Sequence, residues 1–332
     1  MKIATIGSGV IVDRMIDAIK ACPGLELYAV YSRTEQRAAE FAKKHEVSVY
    51  YWNLEEMMKD TEIDIVYVAS PNSLHYEQSK KALLAGKHVI CEKPFSSTLE
   101  QAEELFTLAE KNNCYIFEAI TNIHTPNFQR VKDSLAKCGD VKLVQCNFSQ
   151  FSSKYTDYKN HIQRNVFDLN YDGGALMDIN VYNLHYVVGL FGMPQSIQYT
   201  ANIGYNGIDT SGVILMTYPG MIAVCTGAKD CSSPYCAYIQ GDQGTIRVDQ
   251  ASIGVCAHAD FIPPTGDMIG KRDKNQLEEI GIVQDFHMEY ECRDFVSAIE
   301  QDDRNAYEQW RQQTLHVLAL LEEAKRQRAC QK

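Results

Sequence analysis

The chain lacks the sequence features of a membrane or secreted protein. Its 332 residues contain no unbroken apolar run of the length that a membrane helix needs, so we expect no membrane partner. The first residues, MKIATIGSGV, lack the order of charged region, apolar stretch and small-residue cleavage site that a signal peptide has. These two absences predict a cytoplasmic protein.

The chain also has fewer basic than acidic residues. Lys and Arg total 32 against 43 Asp and Glu, which gives a net charge of −11, and the basic residues form no long run. A surface of this sign repels a phosphate backbone. The composition therefore predicts that nucleic acid is not a partner.

The cysteines do not form a disulfide framework or a metal motif. There are 11 of them, an odd number scattered through predicted strands and helices, which is typical of free thiols in a reducing compartment. The pairs Cys231/Cys236 and Cys256/His258 do not have the spacing of a zinc site. We predict no metal.

Up to about residue 120, short apolar runs alternate with amphipathic segments. The candidate strands are KIATIG, LELYAVYS, SVYYW, IDIVYVAS, HVICEK and CYIFEA. Five segments between them carry apolar residues at intervals of three and four. This alternation predicts an α/β fold, with a doubly wound parallel sheet of the Rossmann type over residues 1–120.

The pattern changes after residue 120. A helix near PNFQRVKDSLAK is followed by VKLVQCNFSQFS, a polar loop, another helix, and the strands SIQYTANI, GVILMTY, MIAVCTGA, CAYIQGD and GTIRVD. Consecutive strands with short turns predict an α+β domain, residues 121–332, with an open, mostly antiparallel sheet. Helical periodicity returns from about 285 to 328 and predicts helices that pack back on the first domain, with Phe286, Tyr290, Phe295, Trp310, Leu315 and Leu318 as core candidates.

A glycine-rich turn, GSGVIV, follows the first predicted strand and opens a helix. Gly7 permits a tight turn, and Gly9 lets the backbone approach a pyrophosphate at the helix N-terminus. The third position of the fingerprint is Val12 in place of Gly or Ala, which indicates a wider spacing between helix and strand. The turn either binds a dinucleotide or is only structural; in the first case the contacting residues are Gly7, Ser8, Gly9, Val10 and Ile11.

The second strand ends in YSRTEQR, without the carboxylate that binds the ribose of NAD. Ser32 donates hydrogen bonds, and Arg33 and Arg37 carry the positive charge that suits a 2′-phosphate. The alternative is a solvated helix start in which both arginines pair with Glu35 and Glu40. The sequence favours NADP as cofactor, with NAD possible.

Further candidates stand where later strands end. The fourth strand ends in ASPNSLH, whose Asn72 and His75 either line the nicotinamide half of the site or cap the next helix. After the fifth strand, CEKPFSS places Lys93 before Pro94, which restricts the backbone, and a cis bond there is possible. The remaining cofactor-site candidates at these strand ends are Ser70, Pro71, Glu92 and Glu118, the last of which either touches the nicotinamide region or packs at a hinge.

The segment DGGALMDINVYNLH, residues 172–185, carries three polar side chains at helical spacing. Asp178, Tyr182 and His185 lie at offsets of four and three and so fall on one stripe of an α-helix. That stripe faces either a cleft or water. The polar segment before it, residues 152–170, either closes over a polyhydroxylated substrate or is a plain surface loop.

Together, the glycine turn, EKP after the fifth strand and GGALMDINVY on a helix of a second domain resemble the Gfo/Idh/MocA oxidoreductases across nearly the whole chain. The resemblance implies hydride transfer between a nicotinamide and a carbon that bears a hydroxyl. It also implies a homodimer or homotetramer through the C-terminal sheet. Where the inositol dehydrogenase branch has a histidine four residues after the aspartate, this chain has Tyr182, which resembles the glucose-fructose oxidoreductase and dihydrodiol dehydrogenase branch.

By this resemblance, Lys93 and Tyr182 are the catalytic pair and Asp178 is a substrate-binding or orienting group. A phenol is a weak base at neutral pH, and a lysine charge about 4 Å away would stabilise its ionised form. His185 either contacts substrate or is a satisfied core histidine. The other functions that the sequence leaves open are a non-catalytic sensor that binds dinucleotide on the same fold, and a module that binds a sugar phosphate.

Overall fold

The computed structural model describes residues 1–249, 256–264, 277–284 and 288–330. These residues form two compact units. Unit 1 consists of Met1–Ala119 and Met288–Leu318, and unit 2 consists of Ile120–His287 and Ala319–Lys332. Each unit has its own sheet.

Unit 1 is built on a parallel sheet of six strands. They are β1 (Lys2–Ile6), β2 (Glu26–Tyr31), β3 (Val49–Tyr51), β4 (Ile65–Val68), β5 (His88–Glu92) and β6 (Ile116–Ala119). Their order is β3-β2-β1-β4-β5-β6, and every neighbouring pair is parallel. This is the doubly wound Rossmann order, in which the direction of winding reverses between β1 and β4. The predicted fold class of this region is confirmed.

Five helices connect these strands, as the alternation of apolar runs predicts. They are α1 (Val10–Ala21), α2 (Glu35–His45), α3 (Leu54–Lys59), α4 (His75–Leu84) and α5 (Leu99–Lys111). Threonine caps open two of them: Thr34 accepts from the Arg37 N–H and Thr98 from the Gln101 N–H. Because β4 is buried on both faces, its sequence IVYV is continuously apolar.

Two C-terminal helices follow, α9 (Met288–Glu300) and α10 (Arg304–Ala329). Among the core candidates, Phe295 and Leu318 are buried, Tyr290, Trp310 and Leu315 are partly buried, and Phe286 lies outside the described residues. The ring of Phe295 stacks on that of Phe117 with centroids 4.5 Å apart, so α9 packs on the sheet of unit 1. None of the described helices is both long and apolar enough to cross a membrane.

Unit 2 is built on a sheet in which eight strands are described. They are β7 (Val141–Ser149), β8 (Ser196–Ile203), β9 (Asp209–Tyr218), β10 (Met221–Ala228), β11 (Cys236–Gly241), β12 (Gly244–Asp249), β13 (His258–Ile262) and β14 (Glu278–Glu279). Their order is β14-β13-β12-β11-β7-β10-β9-β8. Only the pairing of β7 with β10 is parallel among these strands, so the predicted mostly antiparallel sheet is confirmed. The strands β13 and β14 are additions that the sequence did not predict.

The described α-helices that lie wholly in unit 2 are α6 (Pro126–Ser134), α7 (Tyr155–Lys159) and α8 (Val181–Phe191). Within residues 172–185, Leu176–Asn180 form a π-helical turn that runs directly into α8. Gly227 on β10 makes room for this turn, since a Cβ at that position would lie 2.8 Å from the Cβ of Asn180. The π-helical turn therefore packs directly on the backbone of β10 at Gly227.

Candidate functional site

The glycine turn between β1 and α1 is open to solvent. Gly7 has φ +120°, and a Cβ there would lie 2.6 Å from the carbonyl oxygen of Ala69, so the turn requires glycine. Nothing lies within 4 Å of the position that a Cβ on Gly9 would occupy. Ser8 and Gly9 are exposed, Val10 is 69% exposed, and Ile11 is half-buried.

The N-terminus of α1 has no side-chain cap. Gly9 is the capping residue and has no side chain that could accept from the first N–H groups of the helix, although its carbonyl accepts from the Val12 and Asp13 N–H groups at 3.0 and 3.2 Å. Val12 is fully buried beneath the turn. An uncapped helix start beside an open glycine is the arrangement that accepts a pyrophosphate, and these residues fit a dinucleotide.

The carboxyl end of β2 carries uncompensated positive charge. Arg33 and Arg37 are exposed, and within the described residues neither guanidinium forms a hydrogen bond or an ion pair. Glu40, which the alternative interpretation pairs with them, accepts a hydrogen bond from Gln36 at 2.9 Å. Ser32 is buried, and its N–H donates to the carbonyl oxygen of Tyr51. The arrangement favours the interpretation of this end as a phosphate site.

His75 is buried and links two of the predicted site loops. It is 1% exposed, and its Nδ1 and Nε2 lie 2.9 Å from the carbonyl oxygens of Pro94 and Ser70. Burial is the main cause that lowers the pKa of His75. His75 therefore holds the loop after β4 against the turn after β5. Ser70, Pro71 and Asn72 remain partly exposed at the carboxyl edge of the sheet.

The turn after β5 contains Lys93, which is half-buried, and the Lys93-Pro94 bond is cis. Its neighbour Glu92 is buried and accepts a hydrogen bond of 2.6 Å from the Tyr67 hydroxyl. Desolvation raises the pKa of the Glu92 carboxyl. The side chain of Glu92 thus packs inside unit 1.

The carboxylate of Glu118 has an internal structural role. One oxygen accepts from the Phe95 N–H at 3.2 Å, and the other accepts from the Thr314 hydroxyl at 2.8 Å. Glu118 is buried, so it braces the residues that follow Lys93 and Pro94. This geometry favours the packing interpretation of Glu118.

Two histidines of unit 1, the buried His75 and the partly buried His88, should make its stability depend on pH. The Nδ1 of His88 accepts from the Tyr115 N–H at 2.9 Å, and burial lowers the pKa of both His75 and His88. Histidine in an unfolded chain has a pKa near 6.5, so the unfolded state binds more protons as pH falls below that value. Each histidine therefore stabilises the fold fully above about pH 6.5, and this contribution declines toward the folded pKa, at a slope of up to about 1.4 kcal/mol per pH unit.

The measurement is the free energy of unfolding between pH 5 and 7.5 for the native chain and for His88→Asn, whose amide oxygen keeps an acceptor near Nδ1. The raised pKa of Glu92 acts in the opposite direction, so the difference between the two proteins isolates His88. We expect the variant to lose less stability on acidification; equal slopes would contradict the role given to His88.

In unit 2, the segment from Gly173 to Val188 is buried except at two positions. Asp178 and Tyr182 are partly exposed, and every other residue in this range is buried. The three polar residues expected on one stripe of the helix therefore do not share one environment. His185 is fully buried, which favours its interpretation as a core histidine, whereas Asp178 and Tyr182 are partly exposed. The π-helical turn at Leu176–Asn180 replaces the α-helical geometry that the sequence predicted for these residues.

Buried amides fix this segment on the neighbouring elements. Asn180 donates to the Cys225 carbonyl at 3.2 Å, and Asn183 donates to the Thr226 carbonyl at 2.9 Å, both on β10. Asn122 donates to the backbone carbonyl of Tyr182 at 2.9 Å. These three asparagines hold the backbone that presents Tyr182.

The ring of Tyr182 packs against Phe148 of β7, with centroids 5.5 Å apart. One helical turn earlier, Asp178 forms an ion pair with Lys229, the residue directly after β10. The Lys229 side chain is only 5% exposed. The sequence prediction missed Lys229; its position directly after an apolar strand is the signal that was available.

Asp209 holds the start of the same segment. It is fully buried and accepts hydrogen bonds from the Leu176 N–H at 2.6 Å, from the Tyr199 hydroxyl at 2.9 Å and from Arg328. A Cβ on Gly174, which has φ +105°, would lie 2.5 Å from an Asp209 oxygen. Gly174 thus lets the chain pass beside a buried carboxylate, which no sequence motif indicated.

The polar segment 152–170 is anchored by an apolar cluster. Tyr158 and Phe167 are buried and pack with Ile208, and Tyr155 and Val166 pack against them. Most of the intervening residues are exposed. In the described part of the chain, no group of three or more His, Cys, Asp or Glu side chains has the geometry to hold a metal ion.

Comparison with known proteins places both parts of the chain in one family. Residues 1–120 match the "Oxidoreductase family, NAD-binding Rossmann fold" and residues 128–247 match the "GFO/IDH/MocA C-terminal domain". The chain is 34% identical over 328 residues to scyllo-inositol 2-dehydrogenase (NADP(+)) IolU of Bacillus subtilis (strain 168), covering 98% of this chain and 97% of that protein. It is 28% identical to trans-1,2-dihydrobenzene-1,2-diol dehydrogenase of Mus musculus, covering 74% of this chain and 73% of that protein.

Solved structures share the fold at lower identity. KijD10, a 3-ketoreductase from Actinomadura kijaniata, superposes with a TM-score of 0.83 at 21% identity, covering 98% of this chain and 97% of that one. Levoglucosan dehydrogenase superposes with a TM-score of 0.82 at 18% identity, covering 98% of both chains. The chain belongs to the Gfo/Idh/MocA family of oxidoreductases.

Proposed function

We propose that the protein is an NADP-dependent oxidoreductase that interconverts a hydroxyl and a carbonyl group on a sugar, polyol or dihydrodiol-like small molecule. The relatives named above as an NADP(+)-dependent inositol dehydrogenase and a dihydrodiol dehydrogenase support this class of cofactor and substrate. The observation that carries the proposal is the selective exposure of Asp178 and Tyr182 in a segment that is otherwise buried. Partly exposed polar groups on a rigidly held backbone are suited to act on a small molecule.

The residues of unit 1 fit NADP at two points. The uncapped start of α1 and the open space beside Gly9 suit the pyrophosphate, and Arg33 and Arg37 suit a 2′-phosphate. When bound, the nicotinamide supplies or accepts the hydride. Ser8, Val10, Ile11, Ser70, Pro71 and Asn72 complete the exposed or partly exposed set that we assign to cofactor binding.

We assign the proton transfer and the polarisation of the substrate to two side chains. Tyr182 acts as the general acid/base that exchanges the hydroxyl proton of the substrate, and Lys93 polarises the substrate. Asp178 orients the substrate or the tyrosine. These roles rest on the match of EKP and GGALMDINVY to the family pattern and on the partial exposure of all three side chains.

Purified protein with NADP is the direct test, offered a panel of inositols, sugars and trans-dihydrodiols while the absorbance of reduced nicotinamide is followed. Oxidation of at least one compound is expected. Tight NADP binding without turnover of any compound would instead favour a non-catalytic dinucleotide sensor.

Replacing Arg33 by alanine should change the selectivity between the two cofactors. A charge-assisted hydrogen bond to phosphate contributes about 1.5–3 kcal/mol, so the Kd for NADP should rise roughly 10- to 150-fold while the Kd for NAD changes little. Calorimetric titration with each dinucleotide measures this, and Arg130→Ala, an exposed arginine on α6, is the matched control. Equal weakening of both dinucleotides would refute the 2′-phosphate assignment.

The outer face of the sheet in unit 2 supports a proposed homodimer or homotetramer. Leu143, Val213 and Ile222 are 39%, 39% and 42% exposed, and Ile222 lies opposite Leu143 in the register of β10 and β7. Exposed apolar side chains that neighbour one another on a sheet are typical of a protein interface. Sedimentation of the purified chain as a monomer at micromolar concentration would refute this assembly.

The cytoplasmic location stays a prediction.

A further inference from the structure

Both the backbone and the side chain of Lys229 are held by neighbouring groups. Its backbone N–H donates to the Thr210 carbonyl at 2.8 Å, and its carbonyl accepts from the Ser152 N–H at 2.9 Å. Its Nζ lies 5.6 Å from the centroid of the buried Phe167 ring and forms the ion pair with Asp178. The position of this charge is therefore set by strand, loop and ring together.

This arrangement matters because of the place of Asp178 on the helix. Asp178 and Tyr182 are four residues apart in one continuous helical segment, Asp178 in its π-helical turn and Tyr182 in α8, and they are the two partly exposed residues between Gly173 and Val188. We therefore take their side chains to be neighbours, on the order of 6 Å apart. An unpaired carboxylate there would oppose ionisation of the tyrosine. With Lys229 in contact, the two charges cancel.

We infer that Lys229 is a positioning residue that fixes the Asp178 carboxylate and cancels its charge one helical turn before Tyr182. The inference deepens the proposed function, since its importance for turnover rests on Tyr182 as the acid/base group. Lys229 acts through Asp178 and needs no contact with substrate.

Other charged or titratable groups near the pair are engaged with their own partners. Asp230, the next residue after Lys229, accepts from the hydroxyls of Thr210 at 2.7 Å and Ser211 at 2.9 Å. Asp168, beside Phe167 on the loop, is buried and accepts from the Asn170 N–H at 2.9 Å. On α8 itself, His185 follows Tyr182 by one turn and is fully buried. Lys229 is thus a buried cation in direct contact with Asp178.

The test is an NMR titration of Tyr182 in the full chain labelled with ¹³C-tyrosine, with the resonance assigned by its loss in Tyr182→Phe. Lys229→Met should raise the titration midpoint of Tyr182 by about one to two pH units, as expected for a carboxylate roughly 6 Å away that has lost this cation, at an effective dielectric constant near 20. The double variant Lys229→Met/Asp178→Asn removes both charges and should restore the native midpoint. Lys229→Arg, which keeps the charge, should leave it close to native and guards against loss of folding.

An unchanged midpoint in Lys229→Met, or a raised midpoint that the double variant does not reverse, would overturn the inference. A purely structural lysine would lower thermal stability without moving the Tyr182 midpoint. The pH profile of kcat separates the two proposals. If Lys229→Met shifts the Tyr182 midpoint but the protein has no turnover, or the pH profile of kcat does not shift, the acid/base role of Tyr182 is refuted. The role of Lys229 toward Asp178 is then left intact.

Discussion

Replacing Tyr182 by phenylalanine should lower kcat by a factor of about 10² to 10⁴, the usual contribution of a positioned general acid or base. The ring still packs on Phe148, and the backbone carbonyl still accepts from Asn122, so the helix should keep its position. Only the hydroxyl to which we assign the proton exchange is removed. Steady-state kinetics with the substrate found in the panel measure the loss.

The matched control is Tyr186→Phe, one turn later on α8. Tyr186 is fully buried and packs edge to face on Phe128, so its hydroxyl is shielded from any substrate in solution. This variant should keep kcat within a few-fold of the native value. NADP affinity should be unchanged in both variants, because the residues assigned to the dinucleotide lie in unit 1. Undiminished turnover in Tyr182→Phe would refute the acid/base assignment.

Replacing Asp209 by asparagine should destabilise unit 2 by about 3–5 kcal/mol, the usual cost of removing one partner of a buried ion pair. Asp209 accepts from three donors, on Leu176, Tyr199 and Arg328, whereas an amide presents only one acceptor oxygen and turns its NH₂ toward donors. Arg328, whose side chain is 14% exposed, is left without its carboxylate. Urea denaturation followed by circular dichroism measures the difference.

Asp172→Asn is the control for this experiment. Asp172 pairs with Lys325 at 2.9 Å, in the same two segments of chain, but both side chains are about a fifth exposed. Its φ of 50° is one that asparagine adopts readily. A partly exposed pair contributes up to about 1 kcal/mol, so this variant should be nearly as stable as the native chain. Similar losses in both variants would contradict the special role of the buried pair.

The sequence predicted the architecture because its signals are local. The alternation of apolar runs and amphipathic segments, with glycine after β1, is sufficient to predict a Rossmann strand order, because the connections between parallel strands are right-handed. The motif residues at strand ends followed from the same rule, since the carboxyl ends of parallel strands meet at one edge. Family pattern then distinguished Lys93 and Tyr182 from other polar residues.

The partners of those motif residues were not predictable, because they are distant in sequence. Asp178 pairs with Lys229, which is 51 positions away in the sequence, and the Leu176 N–H donates to Asp209, which is 33 positions away. His75, which the sequence left as a site or capping residue, is buried because its ring bonds to carbonyls 5 and 19 positions away. Each of these contacts is created by the packing of strands, and periodicity contains no information about it.

The π-helical turn has a consequence for how this segment tolerates change. Such a turn holds one residue more than an α-helical turn, and each residue of an α-helix advances the chain by about 100° around the axis. The orientation of Asp178 relative to Tyr182 is therefore determined by the number of residues in Leu176–Asn180 as well as by their identity. Deletion of a single residue there would rotate one side chain away from the other, although every polar group of the segment remained present. Insertions and deletions, more than substitutions, are the changes that would separate related chains into different chemistries at this helix.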